Sequence, residues 1–330
     1  MSLKQRVLQA LKETDGYISG QMLSENLAVS RTAIWKVIKQ LKEQGYEIDS
    51  ISNKGYRLVV KDEQYNQEEL ELACKASWAG SELVFLESVT STNIEVACRA
   101  DMKSHGFLMV ANEQTAGRGR RGRTWISQKQ GNIYASLLCK PGFAPEYASM
   151  LTLVMALAVS RAIDCTIGVE TQIKWPNDIL LNGKKVCGIL TEMRAEPDVI
   201  HHVILGVGIN VNQSSFDQEN LPYATSLYVE LGSVVNRCEL LANILSEFEQ
   251  LYAELDEEHT LARMMEKYNK RLANKNQIVR IVDASQSEMG YEAKALGIDE
   301  NGALIIELED GTKHNIISGE VSVRGLYGYV

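Results

Sequence analysis

Asn182-Gly183 joins two strand-like runs, residues 173–181 and 184–192. A two-residue Asn-Gly link in that setting is the strongest short-range hairpin signal a sequence carries, because a tight hairpin turn needs positive φ at both positions. It commits the middle of the chain to antiparallel sheet. Short apolar strands are expected at 83–87, 107–111 and 133–139. Residues 203–212 form another, with Gly206 and Gly208 on one face, as where a ligand or a second backbone packs closely. Ser91-Thr92-Asn93 can cap a helix through Ile94, Val96 and Ala97. Residues 146–163 show long helical periodicity without internal Gly or Pro, and further helices follow at 237–255 and 261–272. The body, 66–272, is therefore α+β, mainly sheet with helices packed against it.

The two ends read differently. Leu3, Val7, Leu8 and Leu11 share one helical face, Ser19-Gly20 opens a second helix, and Ser30 caps a third with Ile34, Val37, Ile38 and Leu41 inward. Two extended runs follow, joined by Ser52-Asn53-Lys54-Gly55. Three helices and a hairpin over 1–62 make the pattern of a winged helix-turn-helix, and residues 27–36 resemble the winged-helix domains of bacterial regulators. Such a domain would set Ser30, Arg31, Thr32 and Trp35 at base edges, with Lys36, Lys39 and Lys54 on phosphates. Residues 61–70 read as a linker leading into a new helix. At the other end, 274–330, five short strands with tight turns such as Asp310-Gly311 indicate a compact barrel.

Charge agrees with this division. The chain carries −9 overall, yet residues 1–62 hold ten Lys and Arg against seven Asp and Glu. A basic front on an acidic body assigns nucleic-acid contact to the front. The six cysteines form no C-x-x-C, which argues against zinc and for a reducing cytosol, and no metal ligands are assigned. The longest apolar stretch, residues 150–159, is too short to span a bilayer, so a cytoplasmic protein without membrane contact is expected.

The chemistry is concentrated in Gly117-Arg118-Gly119-Arg120-Arg121-Gly122 and Lys174-Trp175-Pro176-Asn177-Asp178. Glycine permits close backbone approach, and guanidinium groups pair with phosphate oxygens. Alone, such a run reads as readily as a solvated patch. No G-x-x-x-x-G-K-[ST] occurs, and Gly206-x-Gly208 lacks the third glycine of a dinucleotide site.

Five motifs in order settle a resemblance. Ser88-Val89-Thr90-Ser91-Thr92-Asn93, Gln114 through the arginine run to Trp125, Lys174–Asp178, Lys185-Val186-Cys187-Gly188-Ile189-Leu190-x-Glu192 and Gly206-x-Gly208-Ile209-Asn210 occur as in biotin–protein ligases. With a winged helix in front, nearly the whole chain resembles the bacterial bifunctional ligases that also repress biotin genes. The resemblance implies an SH3-like fold for the C-terminal barrel. It implies two steps: biotin and ATP give biotinyl-5′-AMP and pyrophosphate, with Mg²⁺, and a lysine of a biotin carboxyl carrier protein then takes the biotinyl group. It also implies that the adenylate is the corepressor, and that a ligand-bound homodimer binds operator DNA.

By motif, Lys185, Arg118 and Arg120 are the catalytic candidates. Ser91, Thr92, Asn93, Gln114, Gly117, Arg118, Arg120, Arg121, Trp125, Lys185 and Gly188 are those for biotin. Arg118, Arg121, Asn177, Asp178, Lys185 and Asn210 face ATP. Trp175 and Pro176 are expected to support the hairpin, and the glycine-rich loop to order over its ligand. Three alternatives stay open: a lipoate or octanoate ligase, a biotin sensor without catalysis, and a ligase that has lost DNA binding.

Overall fold

The computed structural model describes residues 1–59, 64–129, 131–283, 290–317 and 321–325. By internal contacts the chain divides into two compact units, Met1–Ala73 and Cys74–Val330.

In the first unit, α1 (Leu3–Glu13) opens with a capping box. The Ser2 hydroxyl accepts from the Gln5 N–H, and the Gln5 side chain accepts from the Ser2 N–H. Ser19 and Ser30 cap α2 (Gly20–Asn26) and α3 (Arg31–Glu43) in the same sense. Val7, Leu8 and Leu11 of α1 meet Leu23, Ile34, Val37, Ile38 and Leu41 in one core. The hairpin of β1 (Ile48–Ile51) and β2 (Gly55–Leu58) gains a third, single-residue rung. Ile18 and Tyr56 exchange both backbone hydrogen bonds at 2.9 Å. A Cβ on Gly55 would stand 2.1 Å from the Ile18 carbonyl oxygen, so this rung requires glycine there.

The unit runs on past residue 62. Helix α4 (Gln67–Ala73) sends Glu68 and Glu69 to Lys4 and Lys12 of α1, and Glu71 accepts from Gln5. Polar composition predicts a linker over 61–70 leading into a new helix; the helix starts within that stretch, and its acidic residues are one side of a charge-paired helix contact. Residues 60–63, including most of the expected linker's start, lie outside the described residues.

The second unit is built on β3 (Glu82–Leu86), α5 (Thr92–Ala97), β4 (Phe107–Ala111), β5 (Ile133–Cys139), α6 (Met150–Ile167), β6 (Gln172–Lys174), β7 (Asp178–Leu181), β8 (Lys184–Glu196) and β9 (Val199–Ile209). The strands form one mixed sheet in the order β3-β4-β5-β9-β8-β7-β6, parallel only at β3–β4. Asn182 and Gly183 both take positive φ, 50° and 74°, and make the β7–β8 turn. Helix α7 (Leu227–Leu231) follows, then α8 (Arg237–Glu258) and α9 (Ala262–Arg271). Helix α6 is long and apolar enough to cross a membrane by composition, but most of it is buried, packed on α8 and the sheet. It starts after a 3-10 turn at Pro145–Tyr147, later than periodicity placed it.

Five antiparallel strands close the chain: β10 (Ile278–Asp283), β11 (Tyr291–Ile298), β12 (Leu304–Glu307), β13 (Lys313–Ile316) and β14 (Val321–Gly325), ordered β13-β12-β11-β10-β14. Trp175 fastens this sheet to the body. It is fully buried, its N–H donates to Asn274 Oδ1 at 2.8 Å, and its indole N–H donates to the Gly302 carbonyl at 3.1 Å.

Candidate active site

The sheet's central strands carry a polar floor. Gln114 Oε1 accepts from the Thr92 N–H at 2.9 Å and stands 3.1 Å from the Thr92 hydroxyl, while its Nε2 donates to Ser127 Oγ at 2.8 Å. Ser136, midway along β5, reaches Thr92 Oγ1 at 2.7 Å and Asn93 Oδ1 at 2.6 Å. Asn93 Nδ2 donates to Glu192 at 2.7 Å. Ser91, Thr92 and Asn93 are all buried, and Ser91 begins α5 without using its hydroxyl as a cap. Buried polar groups that satisfy one another in this way are fixed in rotamer, so the floor is preorganised.

Three glycines leave room above that floor. A Cβ on Gly206 would fall 2.2 Å from Asn93 Oδ1; on Gly208, 2.6 Å from the Trp125 indole nitrogen; on Gly188, 2.9 Å from the same ring. Trp125 therefore lies flush against the strands. Its indole N–H is buried with no acceptor among the described residues, a donor placed at the wall of the candidate site.

Residues 117–125 fold back on themselves as a small loop. The Trp125 N–H donates to the Gly117 carbonyl at 2.9 Å, and the Gly119 N–H to that of Arg123 at 2.7 Å. Arg121 takes a left-handed φ of 57° at the tip, beside Gly122 at 72°. That conformation is uncommon outside glycine. Arg118 and Arg121 are exposed. Arg120 turns inward, donating to Asn177 Oδ1 at 2.9 Å. Burial lowers its pKa, against the pull of Asp178 and with the help of Arg121.

Lys185 reaches the site through a bulge. Asp178 pairs with Gly188 and Ile179 with Cys187, but Leu180 then pairs with Lys185, so Val186 is the extra residue. A bulge of this kind re-aims a side chain. It brings Lys185 to the face of Gly188, where its Nζ is 2.6 Å from Asp178 Oδ1 and 5.2 Å from the Trp125 ring centroid. Lys185, Arg120, Asp178, Asn177, Trp125 and Gly188 thus converge. Asn210 stands apart in role: its amide donates to the Thr225 carbonyl at 3.0 Å and so holds the end of the 213–225 loop. The backbone of that loop is joined to Lys185 itself, whose N–H donates to the Tyr223 carbonyl at 2.7 Å.

In the first unit, Arg31, Thr32, Trp35, Lys36 and Lys39 line the outer face of α3, and Lys54 is exposed in the hairpin turn. A cleft of about 660 Å³ between α3 and the wing is lined by Arg31, Thr32 and Trp35. Trp35 is 54% exposed, a large apolar surface at the centre of a basic face. Ser30 is spent locally: its hydroxyl accepts from the Ala33 N–H at 3.2 Å.

Comparison with known proteins matches this architecture segment by segment. Residues 4–57 match the model of the HTH domain, 85–210 that of the Biotin/lipoate A/B protein ligase family, and 276–324 that of the Biotin protein ligase C terminal domain. The chain is 38% identical over 312 residues to the bifunctional ligase/repressor BirA of Bacillus spizizenii, across 93% of this chain and 94% of that protein. The chain belongs to the bifunctional biotin–protein ligase/repressor family. The ligase is also 29% identical over 317 residues to the BirA of Escherichia coli, across 96% of each. A biotin protein ligase from Aquifex aeolicus, solved in complex with biotin and ATP, superposes on it with a TM-score of 0.65 at 32% identity, covering 74% of this chain and 99% of that one.

Three polar residues of the candidate site escaped sequence reasoning: Ser127, Ser136 and, as a participant, Glu192. Ser136 left one signal, a lone hydroxyl in the middle of the buried run Ile133–Cys139. A polar side chain there must find partners inside.

Proposed function

We propose that this biotin–protein ligase activates biotin on ATP and transfers it to a carrier lysine through the group formed by Lys185, Arg118, Arg120, Arg121 and Trp125. One biotin carboxylate oxygen attacks the α-phosphorus of ATP. A P–O bond forms, the bond to the β-phosphate oxygen breaks, and pyrophosphate leaves. The amine of a carboxyl-carrier lysine then attacks the acyl carbon of the mixed anhydride; AMP leaves and the nitrogen loses a proton. Two anions must meet in the first step, so charge neutralisation and alignment contribute more than a protein nucleophile. Lys185, on the bulged strand, pairs with the carboxylate and α-phosphate in place of Asp178. Thr92, Asn93 and Gln114 take the ureido end on the floor, with Ser91 beside them, and Trp125 covers the ring. Gly117 and Gly188 supply backbone clearance.

Asp178, with the amide oxygen of Asn177, would hold Mg²⁺. One carboxylate beside two cationic side chains suits an ion carried mainly by nucleotide phosphates. Magnesium, when bound, neutralises phosphate charge.

The outer face of α3 reads operator DNA through Arg31, Thr32 and Trp35, with Lys36, Lys39 and Lys54 on phosphates and Ser30 fixing the helix start. Biotinyl-5′-AMP acts as corepressor by favouring a homodimer whose two-fold axis matches a two-fold operator. The reading places this work in the cytoplasm, where carrier, ATP and DNA coexist.

The observation that carries the ligase reading is the convergence of Lys185 and Arg120 on Asp178 and Asn177 over the strand glycines. Exchange of labelled pyrophosphate into ATP tests it, with biotin, lipoate and octanoate in parallel. Exchange with biotin alone is expected. Exchange with lipoate or octanoate instead reassigns the substrate, and tight biotin binding without exchange makes the chain a sensor.

A further inference from the structure

We propose that Glu192 is a positioning residue that ties the floor of the biotin pocket to the arginine loop and so slows escape of the adenylate. The proposal rests on the ligase reading above. The two carboxylate oxygens of Glu192 face different parts of the site. Oε2 accepts from Asn93 Nδ2 at 2.7 Å, and Oε1 stands 3.9 Å from Arg118 Nη1.

On the floor side, the contact fixes an orientation. Asn93 Nδ2 also approaches the Leu190 carbonyl, at 3.3 Å, so two acceptors hold its donor end. Its Oδ1 must then face Ser136, which donates to it at 2.6 Å. From there the hydrogen bonds continue through Thr92 and Gln114 to Ser127. On the loop side, Arg118 lies opposite Thr124 in a backbone bridge at the base of the small hairpin. Holding Arg118 therefore holds the loop by its root.

Orienting Asn93 needs an acceptor but no charge. A half-exposed carboxylate beside a site that must gather a carboxylate and a triphosphate is electrostatically adverse, unless the charge serves a cation. Arg118 is that cation. Glu192 thus combines two functions that different substitutions separate: Glu192→Gln keeps an acceptor for Asn93 and removes the charge facing Arg118, whereas Glu192→Ala removes both.

The test uses the full chain loaded with labelled biotin and ATP, following release of labelled adenylate into excess unlabelled biotin and ATP, alongside biotin affinity. For E192Q, release is expected roughly threefold faster at low ionic strength, the scale of a partly exposed ion pair. Its biotin affinity should stay near that of wild type. High salt should bring wild type toward the variant, since exposed pairs are screened. E192A should in addition weaken biotin about tenfold, because the buried Asn93 amide loses an acceptor. A purely structural role would move affinity and release together in both variants, and would overturn the proposal. Equal release from wild type and E192Q at low salt would overturn it too. A wild-type chain that forms no adenylate removes the ligase reading and the latch with it; a working ligase whose E192Q form leaks no faster removes the latch alone.

Discussion

The floor and the loop of the proposed site would hold one small molecule in opposite ways. The floor is uncharged, mostly buried and joined by internal hydrogen bonds: Thr92, Asn93, Gln114, Ser127 and Ser136 each have protein partners. The loop is cationic and largely exposed, with Arg118 and Arg121 outward and only Arg120 turned in. The difference teaches where each kind of selectivity resides. A rigid neutral floor discriminates shape and donor pattern, because a mismatched ligand leaves buried groups unpaired. A charged loop, under the proposed reading, would recognise the feature biotin shares with every acid, with a force that depends on salt and on closure.

Lys185 stands between the two, and its removal gives the largest effect. Lys185→Ala should lower the adenylation rate about 10²–10³-fold, the scale of losing one preorganised charge at a reacting centre. Biotin affinity should change far less, since the floor is untouched. Pyrophosphate exchange together with equilibrium biotin binding checks this. Equal losses in both would mean that floor and cation do not act separately.

Ser136→Ala sharpens the comparison from the other side. It strips a hydroxyl from a wholly buried position and leaves Asn93 Oδ1 short of a donor. Biotin affinity should fall about tenfold, the cost of one buried unsatisfied group. That loss should be the same at low and high salt, whereas the KM for ATP of the wild type should rise with salt. A salt-dependent Ser136→Ala defect would erase the distinction between the two regions.

The same contrast explains what was legible in the sequence. The hairpin at Asn182-Gly183, the three N-terminal helices and the buried runs at 107–111 and 133–139 follow from local rules that act within a few residues, and they stand where those rules put them. The arginine loop was conspicuous because charge among glycines is rare. What stayed hidden were relations between distant segments. The bulge at Val186 that turns Lys185 toward Asp178 is a property of strand register. The reach of Ser136 to Asn93 spans parts of the chain that no periodicity connects. Residues 61–70 read as a linker leading into a new helix; that helix, Gln67–Ala73, begins inside this stretch, and its charges pair with Lys4 and Lys12, a relation that composition does not show.

A smaller effect follows from a carboxylate that serves structure alone. Glu249 of α8 accepts from the N–H groups of Trp78, Ala79 and Ser77, the last two at 2.6 Å and 2.8 Å, and from the Ser77 hydroxyl at 3.1 Å. Burial pushes this carboxyl up, but the hydrogen bonds from Trp78, Ala79 and Ser77 outweigh it and hold its pKa below the ordinary glutamate value. A depressed folded pKa means stability that is fully present above the unfolded value and lost as pH falls through the folded one. Glu249→Gln should therefore cost about 1 kcal/mol near neutral pH, where charged acceptors bind N–H groups best, given that the residue is only partly buried. The gap to wild type should close as acid protonates Glu249, which denaturant titrations over a pH series would follow. Unlike the arginine loop, this anchor lies outside the proposed site, so adenylation at neutral pH should change little while the protein stays folded. A gap that widens in acid would show that the three N–H groups do not favour the charged form.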